Sequence, residues 1–400
     1  MLAALLTAFA LSQAYRTVTA VLAVGLQAEF GLNAQSLGAF AGLFGFSFGV
    51  AQLLMGIGMD LYGLRRTVLC AFPLAIVGSA LSAAAPGYGW LMLGQLLTGV
   101  GCSPAFLACT IFISRHFPTE RFAFLSGVGL GFGGLGLLLT GTPLAWWVQH
   151  LGWRAGFALL AALSVLSWLL IWRCVHEPPS LAAHGGGDAP RERWGQAIGR
   201  MLQLFALPHT LGIMVLAMAC YASFLSLRGL WLGPLLMQRH NFSLVQSGNV
   251  ALLVSLIALF SPALFGRLDP GGLRRRRWVM NFSLLMGVLY AALGLVPHAG
   301  GDVALIVAIG LLSGYAVLQY ADVRASYPSE LIGRALSLYT MAMFLGVALV
   351  QWFTGWVAVW ASAWQVETYR AVMLSIAAIL TVAALAFRLL PASPLLRAQS

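Results

Sequence analysis

The chain contains no lysine: its 22 basic side chains are all arginine, set against only 11 acidic residues. Charged residues of both signs make up 8% of 400 positions, where a soluble domain carries about 25%. So few charges cannot cover a water-facing surface on a chain of this length, which excludes an ordinary soluble globular domain. Cysteine is also scarce. Cys70, Cys102, Cys109, Cys174 and Cys220 include no C-x-x-C spacing and fall in apolar runs or at their ends. Neither a disulfide framework nor a metal site is expected from them. The seven histidines lie at run ends or in loops and form no ligand cluster or nucleophile–base arrangement, so covalent catalysis and cofactors are not expected. No basic segment precedes the first apolar run, and Arg16 interrupts it, so this run reads as a membrane span rather than a cleaved signal peptide.

What fills the chain instead is apolar. Hydrophobic residues account for 60% of it, and the mean hydropathy is +0.89. Crossing a hydrocarbon core of about 30 Å takes about 20 mainly apolar residues as a helix. Twelve such runs occur, at about 2–28, 34–60, 67–86, 89–115, 121–148, 153–173, 208–237, 244–267, 277–297, 302–325, 331–359 and 366–390. They are continuous rather than alternating, which predicts helices and not a strand barrel. Most breaks are short, but residues 174–206 form a long one with Pro178-Pro179 and Gly185-Gly186-Gly187. Within it Trp194, Ile198, Met201 and Phe205 share one helical face, the pattern of an amphipathic helix lying on a membrane surface. The expected organisation is a six-helix bundle over 1–173, a linker over 174–206 and a second six-helix bundle over 207–400. The fold class is all-α polytopic membrane protein.

A net charge of +11 suits nucleic acid in the abstract, but the arginines sit at the ends of apolar runs. Seventeen fall on the side of the membrane that carries the termini and three, Arg154, Arg239 and Arg370, on the other. This is the positive-inside pattern, which places both termini in the cytoplasm and gives lipid rather than nucleic acid as the partner.

The chain also repeats itself. Asp60-x-x-Gly63-x-Arg65-Arg66 follows the second run and Asp269-x-x-Gly272-x-Arg274-Arg275 follows the eighth, at a constant offset that also carries Gly101 onto Gly310 and Arg115 onto Arg324. Parallel repeats related by an axis along the membrane normal enclose a site near the midplane. With Gly56 ahead of the first loop and Gly152-Trp153-Arg154 before the sixth run, the chain resembles the major facilitator superfamily over essentially its whole length. That resemblance implies a cavity lined by spans one, four, seven and ten, with two halves rocking between inward- and outward-facing states. It also makes Asp60, Gly63, Arg65, Arg66 and Arg115, with Asp269, Gly272, Arg274, Arg275 and Arg324, candidates for a cytoplasmic gate, in which Asp60 pairs with Arg115 and Asp269 with Arg324. Two departures bear on substrate. Gln95 of Gln95-x-x-x-Gly99-x-Gly101 stands where many relatives have an arginine, and Gly141-Thr142-Pro143 lacks the adjacent Gly-Pro of proton-linked antiporters.

Arg16 lies near the middle of the first run and Arg228 in the seventh. An arginine at the centre of a membrane helix costs about 2.5–3.5 kcal/mol even on the mildest scale, which selects for water, a partner or an anionic ligand beside it. Its planar fork fits a carboxylate. Tyr15, Gln95, Tyr315, Gln319 and Tyr339 are candidate hydrogen-bonding contacts to substrate. Asp322 shares a helical face with Tyr315 and Gln319 and is the candidate for a coupling group, or a counter-ion to Arg16. Gly129-Leu130-Gly131-Phe132-Gly133-Gly134 contains a G-x-G-x-x-G, but inside an apolar span and without a preceding strand it predicts close helix packing rather than a dinucleotide site. The expected function is a secondary transporter, working as a monomer in a bacterial inner membrane, for a small organic anion with a proton or other ion as possible co-substrate. A proton-linked exporter of amphipathic drugs or metabolites is the alternative, and a non-transporting membrane sensor a further one.

Overall fold

The computed structural model describes residues 1–116, 129, 131–176, 203–204, 207–327 and 332–398. Most of the 174–206 linker, and with it the amphipathic helix expected there, lies outside the described residues. Among those described, eleven helical stretches are long and apolar enough to cross a membrane. One of them, Gly131–Cys174, is two spans in succession, because Gly152 at φ 83° breaks it. Counted that way, the twelve expected spans are present. They are Leu2–Phe30, Ala34–Tyr62, Leu64–Ala83, a fourth made of Tyr88–Cys102 and Pro104–His116, the fifth and sixth on either side of Gly152, Pro208–Arg239, Leu244–Arg267, Gly272–Leu295, Ala299–Ser326, Ile332–Ala363 and Thr368–Leu389. The protein is a multi-pass membrane protein. Helices are the only open-chain solution here, since a span must satisfy its own backbone groups in hydrocarbon.

Close packing relies on glycine where backbones meet. A Cβ on Gly101 would stand 2.8 Å from the Ala75 Cβ, joining the fourth span to the third, and one on Gly78 2.8 Å from the Thr98 amide nitrogen. The glycine-rich run of the fifth span serves the same end: side chains on Gly133 and Gly136 would collide with Phe9 and the Ala10 carbonyl of the first span. In lipid, where apolar burial gives no drive for association, such small-residue contacts let van der Waals packing hold helices together. Turn chemistry fixes the loops. After Gly152, Trp153 donates its indole N–H to Glu29 at 2.7 Å, while Arg154 reaches Glu29 at 2.5 Å and the Ala85 carbonyl at 3.0 Å. That cluster ties the ends of the first and third spans to the start of the sixth.

Two compact units emerge from the contacts. The first comprises residues 1–32, 43–191 and 229–255, and the second residues 33–42, 192–228 and 256–400. Each therefore takes a short piece of the other sequence half. In the first unit, a Cβ on Gly229 of the seventh span would stand 2.7 Å from the Arg16 carbonyl oxygen. In the second, Gly42 and Gly355 bring the second and eleventh spans equally close, at 2.7 Å from the Ala348 carbonyl and 2.6 Å from the Ala34 carbonyl.

Two spans are locally irregular where they carry candidate side chains. The seventh winds as π-helix over Leu227–Trp231, the segment that holds Arg228, and again over Leu235–Arg239. The tenth tightens to a 3₁₀ turn at Ser313–Tyr315, where a Cβ on Gly314 would stand 2.7 Å from the Pro262 nitrogen of the eighth span. Such departures from the α-helix often mark functional segments.

The glycine contacts give a direct test. Gly101→Leu should lower stability by about 1–3 kcal/mol through overpacking, whereas Gly89→Leu, where a Cβ meets open space, should leave the unfolding temperature of the purified protein nearly unchanged.

Candidate functional site

In the first unit the polar centre is Arg16. It is 8% exposed and bonds to side chains of its own helix. One guanidinium nitrogen donates to Gln13 Oε1 at 2.6 Å, three residues back, and another to Ser12 Oγ at 3.2 Å, four residues back. Helical spacing makes both reachable without strain. From the second span, the ring of Phe48 lies 4.7 Å from the guanidinium carbon, a cation–π distance. Phe44 stacks on Phe48 in turn, with centroids 5.9 Å apart. Gln95, on the fourth span, is 1% exposed, and its Nε2 has no hydrogen-bond partner among the described residues. Tyr15 is placed differently from its neighbour: its hydroxyl pairs with Ser164 of the sixth span at 3.0 Å, inside the helix packing. Ser12, Gln13 and Phe48 were not legible as site residues, because small polar and aromatic side chains abound in the spans and only the side-chain geometry singles these out.

The second unit carries a denser network. Arg228 is 1% exposed within its π-helical turn. Tyr315 shares a hydrogen bond with Ser283 of the ninth span at 2.9 Å, and Ser283 in turn meets the Cys220 sulfur at 3.3 Å. Tyr339 of the eleventh span donates to Gln319 Oε1 at 3.0 Å. Three of the expected substrate contacts, Tyr315, Gln319 and Tyr339, thus have bonds to neighbouring helices inside the bundle. Asp322, 3% exposed, has an ion partner in Arg276 of the ninth span at 3.9 Å. Arg276 also donates to the Phe387 carbonyl at 3.2 Å and lies 4.0 Å from the Phe387 ring centre, so it joins the ninth, tenth and twelfth spans. Arg276 belongs to a run of four arginines whose topological role hid this one.

The loop motifs also resolve into particular contacts. Asp269 is gripped by Arg275, with Nε donating to Oδ1 at 2.7 Å and Nη2 to Oδ2 at 2.6 Å, and it accepts the Gly271 amide at 3.0 Å. Arg275 extends a further bond to the Ala321 carbonyl at 3.0 Å, fastening the loop to the tenth span. The expected partner Arg324 is exposed, as are Arg66 and Arg274. Positive φ angles at Gly271 and Gly272, 68° and 47°, turn the loop back so that Arg275 reaches Asp269 first. In the first loop Gly63 takes φ 85°, and Arg65 donates to the Trp172 carbonyl at 3.0 Å, near the end of the sixth span. The side chains of Asp60 and Arg115, and their expected pairing, lie outside the described part of the structure.

Partial burial would raise the Asp269 carboxyl, but the Arg275 contacts and the Gly271 amide outweigh it and hold the group below its ordinary value. A depressed carboxylate stabilises the fold above its unfolded-state value and loses that contribution as pH falls through the folded one. Asp269→Asn should therefore cost about 1–3 kcal/mol at neutral pH, read as a lower unfolding temperature. The gap from wild type should close as both are acidified below about pH 4.

Comparison with known proteins agrees with this architecture. A family model described as Major Facilitator Superfamily matches residues 4–321. Solute carrier family 2, facilitated glucose transporter member 10, of Mus musculus is 34% identical over 149 residues, covering 35% of this chain and 27% of that protein. The hexuronate transporter of Bacillus subtilis is 24% identical over 165 residues, covering 41% of this chain and 39% of the relative. The matches thus span well under half of those relatives. Among solved structures, a D-xylose-proton symporter superposes with a TM-score of 0.76 over 98% of each chain at 18% identity, a likeness of fold. The paired loop motifs, the twelve spans and a family match running through most of the sequence lead to one assignment: the chain belongs to the Major Facilitator Superfamily of transporters.

Proposed function

We propose that the protein is a secondary active transporter that moves a small organic anion, a carboxylate, by alternating access. It would act as a monomer in a bacterial inner membrane with both termini cytoplasmic. The observation that carries the substrate class is Arg16, a guanidinium buried near the middle of the first span on a scaffold of Ser12, Gln13 and Phe48. Ser12, Gln13 and Phe48 orient the fork, and a forked cation suits a planar carboxylate. Gln95, with an unpartnered buried amide nitrogen, supplies a second donor. The partial match to a hexuronate transporter, a carrier of sugar acids by name, supports the same class. The orientation rests on the seventeen-to-three division of the arginines.

Coupling is assigned to Asp322. A carboxylate buried beside Arg276 in the second unit has two settings, ionised and paired or neutral and released, and a proton chooses between them. In the second unit Asp269 and Arg275 act in the gate, fastening the loop after the eighth span to the tenth. A neutral sugar is the second reading, favoured by the partial match to a facilitated glucose transporter. Part of the aromatic content that admits an amphipathic exporter is turned outward, as with Trp352, Trp356 and Trp360, each about half exposed.

Uptake into proteoliposomes tests the assignment. Labelled glucuronate should enter with wild type, at least tenfold more slowly with Arg16→Gln, and at an intermediate rate with Arg16→Lys; equal rates for all three would remove Arg16 from the site. An inward proton gradient should accelerate uptake by wild type and have no effect on Asp322→Asn. A gradient response undiminished by that substitution would place coupling elsewhere.

A further inference from the structure

Asp322 and Gln319 lie one helical turn apart on the tenth span, and both line a small cavity inside the second unit. Its other walls are Ile213 and Leu216 of the seventh span, Val279 of the ninth and Phe387 of the twelfth. The cavity is just large enough for one water molecule. Two buried polar atoms of its lining residues have no hydrogen-bond partner among the described residues: Asp322 Oδ1, an acceptor, and Gln319 Nε2, a donor. Gln319 is 5% exposed and Asp322 3%. An unsatisfied buried polar group costs about 1–3 kcal/mol, and two in one cavity with complementary character call for a bridging molecule that both donates and accepts.

We infer that this cavity is a one-water site, and that its water carries protons to and from Asp322. The inference rests on the reading of Asp322 as the coupling group. The water accepts the Gln319 Nε2–H and donates one O–H to Asp322 Oδ1. When a proton arrives from the aqueous side, the water passes one to the carboxylate and retains its own count. The carboxylic O–H then donates back to the water, and Arg276 loses the negative charge it faces. Gln319 does not itself carry the proton. It holds the water, and its Oε1 accepts from Tyr339, so the site is positioned from the eleventh span.

Among the described residues, charged and titratable groups face Asp322 from several spans, Tyr339 of the eleventh among them. From the ninth span and the loop before it come Arg276, Arg275 and Asp269. The start of the seventh span brings His209, whose ring lies 5.2 Å from that of Tyr327 at the end of the tenth. Tyr327 is itself bonded to Thr210 at 2.6 Å. The twelfth span presents the apolar Phe387. His209 is 8% exposed, and its Nε2 has no hydrogen-bond partner among the described residues.

The test is infrared difference spectroscopy on the full-length protein in lipid, following the buried carboxyl band that disappears in Asp322→Asn. On transfer to heavy water, that band should exchange rapidly in wild type. Exchange should slow at least tenfold in Gln319→Leu, which removes the water's donor, and in Val279→Ile, which adds one methyl group to a cavity of one water. Val279→Ile touches no polar group, and its unfolding temperature reports whether the fold holds. Wild-type exchange rates in both variants would overturn the water site while leaving Asp322 as the coupling group. Absence of any titrating band attributable to Asp322 would overturn the coupling assignment and the water site together.

Discussion

A guanidinium kept inside a membrane-spanning bundle is the constraint from which the substrate assignment follows. Burying an arginine at mid-span costs about 2.5–3.5 kcal/mol on the mildest scale, and the protein meets that cost with a particular local geometry. Ser12 and Gln13 sit one turn below Arg16 on the same helix, and Phe48 closes one face from the second span. These groups fix where the fork points. Gly229 allows the seventh span to come within contact of the Arg16 carbonyl.

The two units use polarity in different ways. In the first, polar groups gather around one cation and one buried amide, an arrangement suited to meeting an anion. The second connects its polar side chains to one another: Cys220, Ser283 and Tyr315 form one chain of contacts, Tyr339 and Gln319 another, and Arg276 pairs with Asp322 on the tenth span while bonding the Phe387 carbonyl of the twelfth. A network whose members are bonded to neighbouring helices transmits a change in one charge to several spans. On the proposed reading, recognition falls in one unit and the proton response in the other, a division of labour that sequence symmetry alone does not reveal.

The fold was legible because its signals are long and redundant. Twelve apolar runs, an arginine asymmetry and a duplicated loop all point the same way, and Gly152 divides the fifth span from the sixth where they follow each other directly. The site was only partly legible. Tyr15, Tyr315 and Tyr339 stand at helical positions that say nothing about whether a hydroxyl meets a cavity or a neighbouring helix, and here each bonds a neighbour. Asp322 was found because acids are rare in the spans, but its partner Arg276 was hidden among loop arginines. The Asp269 pairing was misjudged because two positive-φ glycines fold the loop onto itself, a backbone effect that residue spacing does not encode.

The central claim is that the site at Arg16 selects for negative charge, and equilibrium binding to purified wild-type protein tests it most directly. Glucuronate and glucose have the same ring and differ in a carboxylate, and a ligand stabilises by RT ln(1 + [L]/Kd). Glucuronate should raise the unfolding temperature in a concentration-dependent manner while glucose at equal concentration does not. Stabilisation by glucose equal to or greater than that by glucuronate would contradict an anion-selective site.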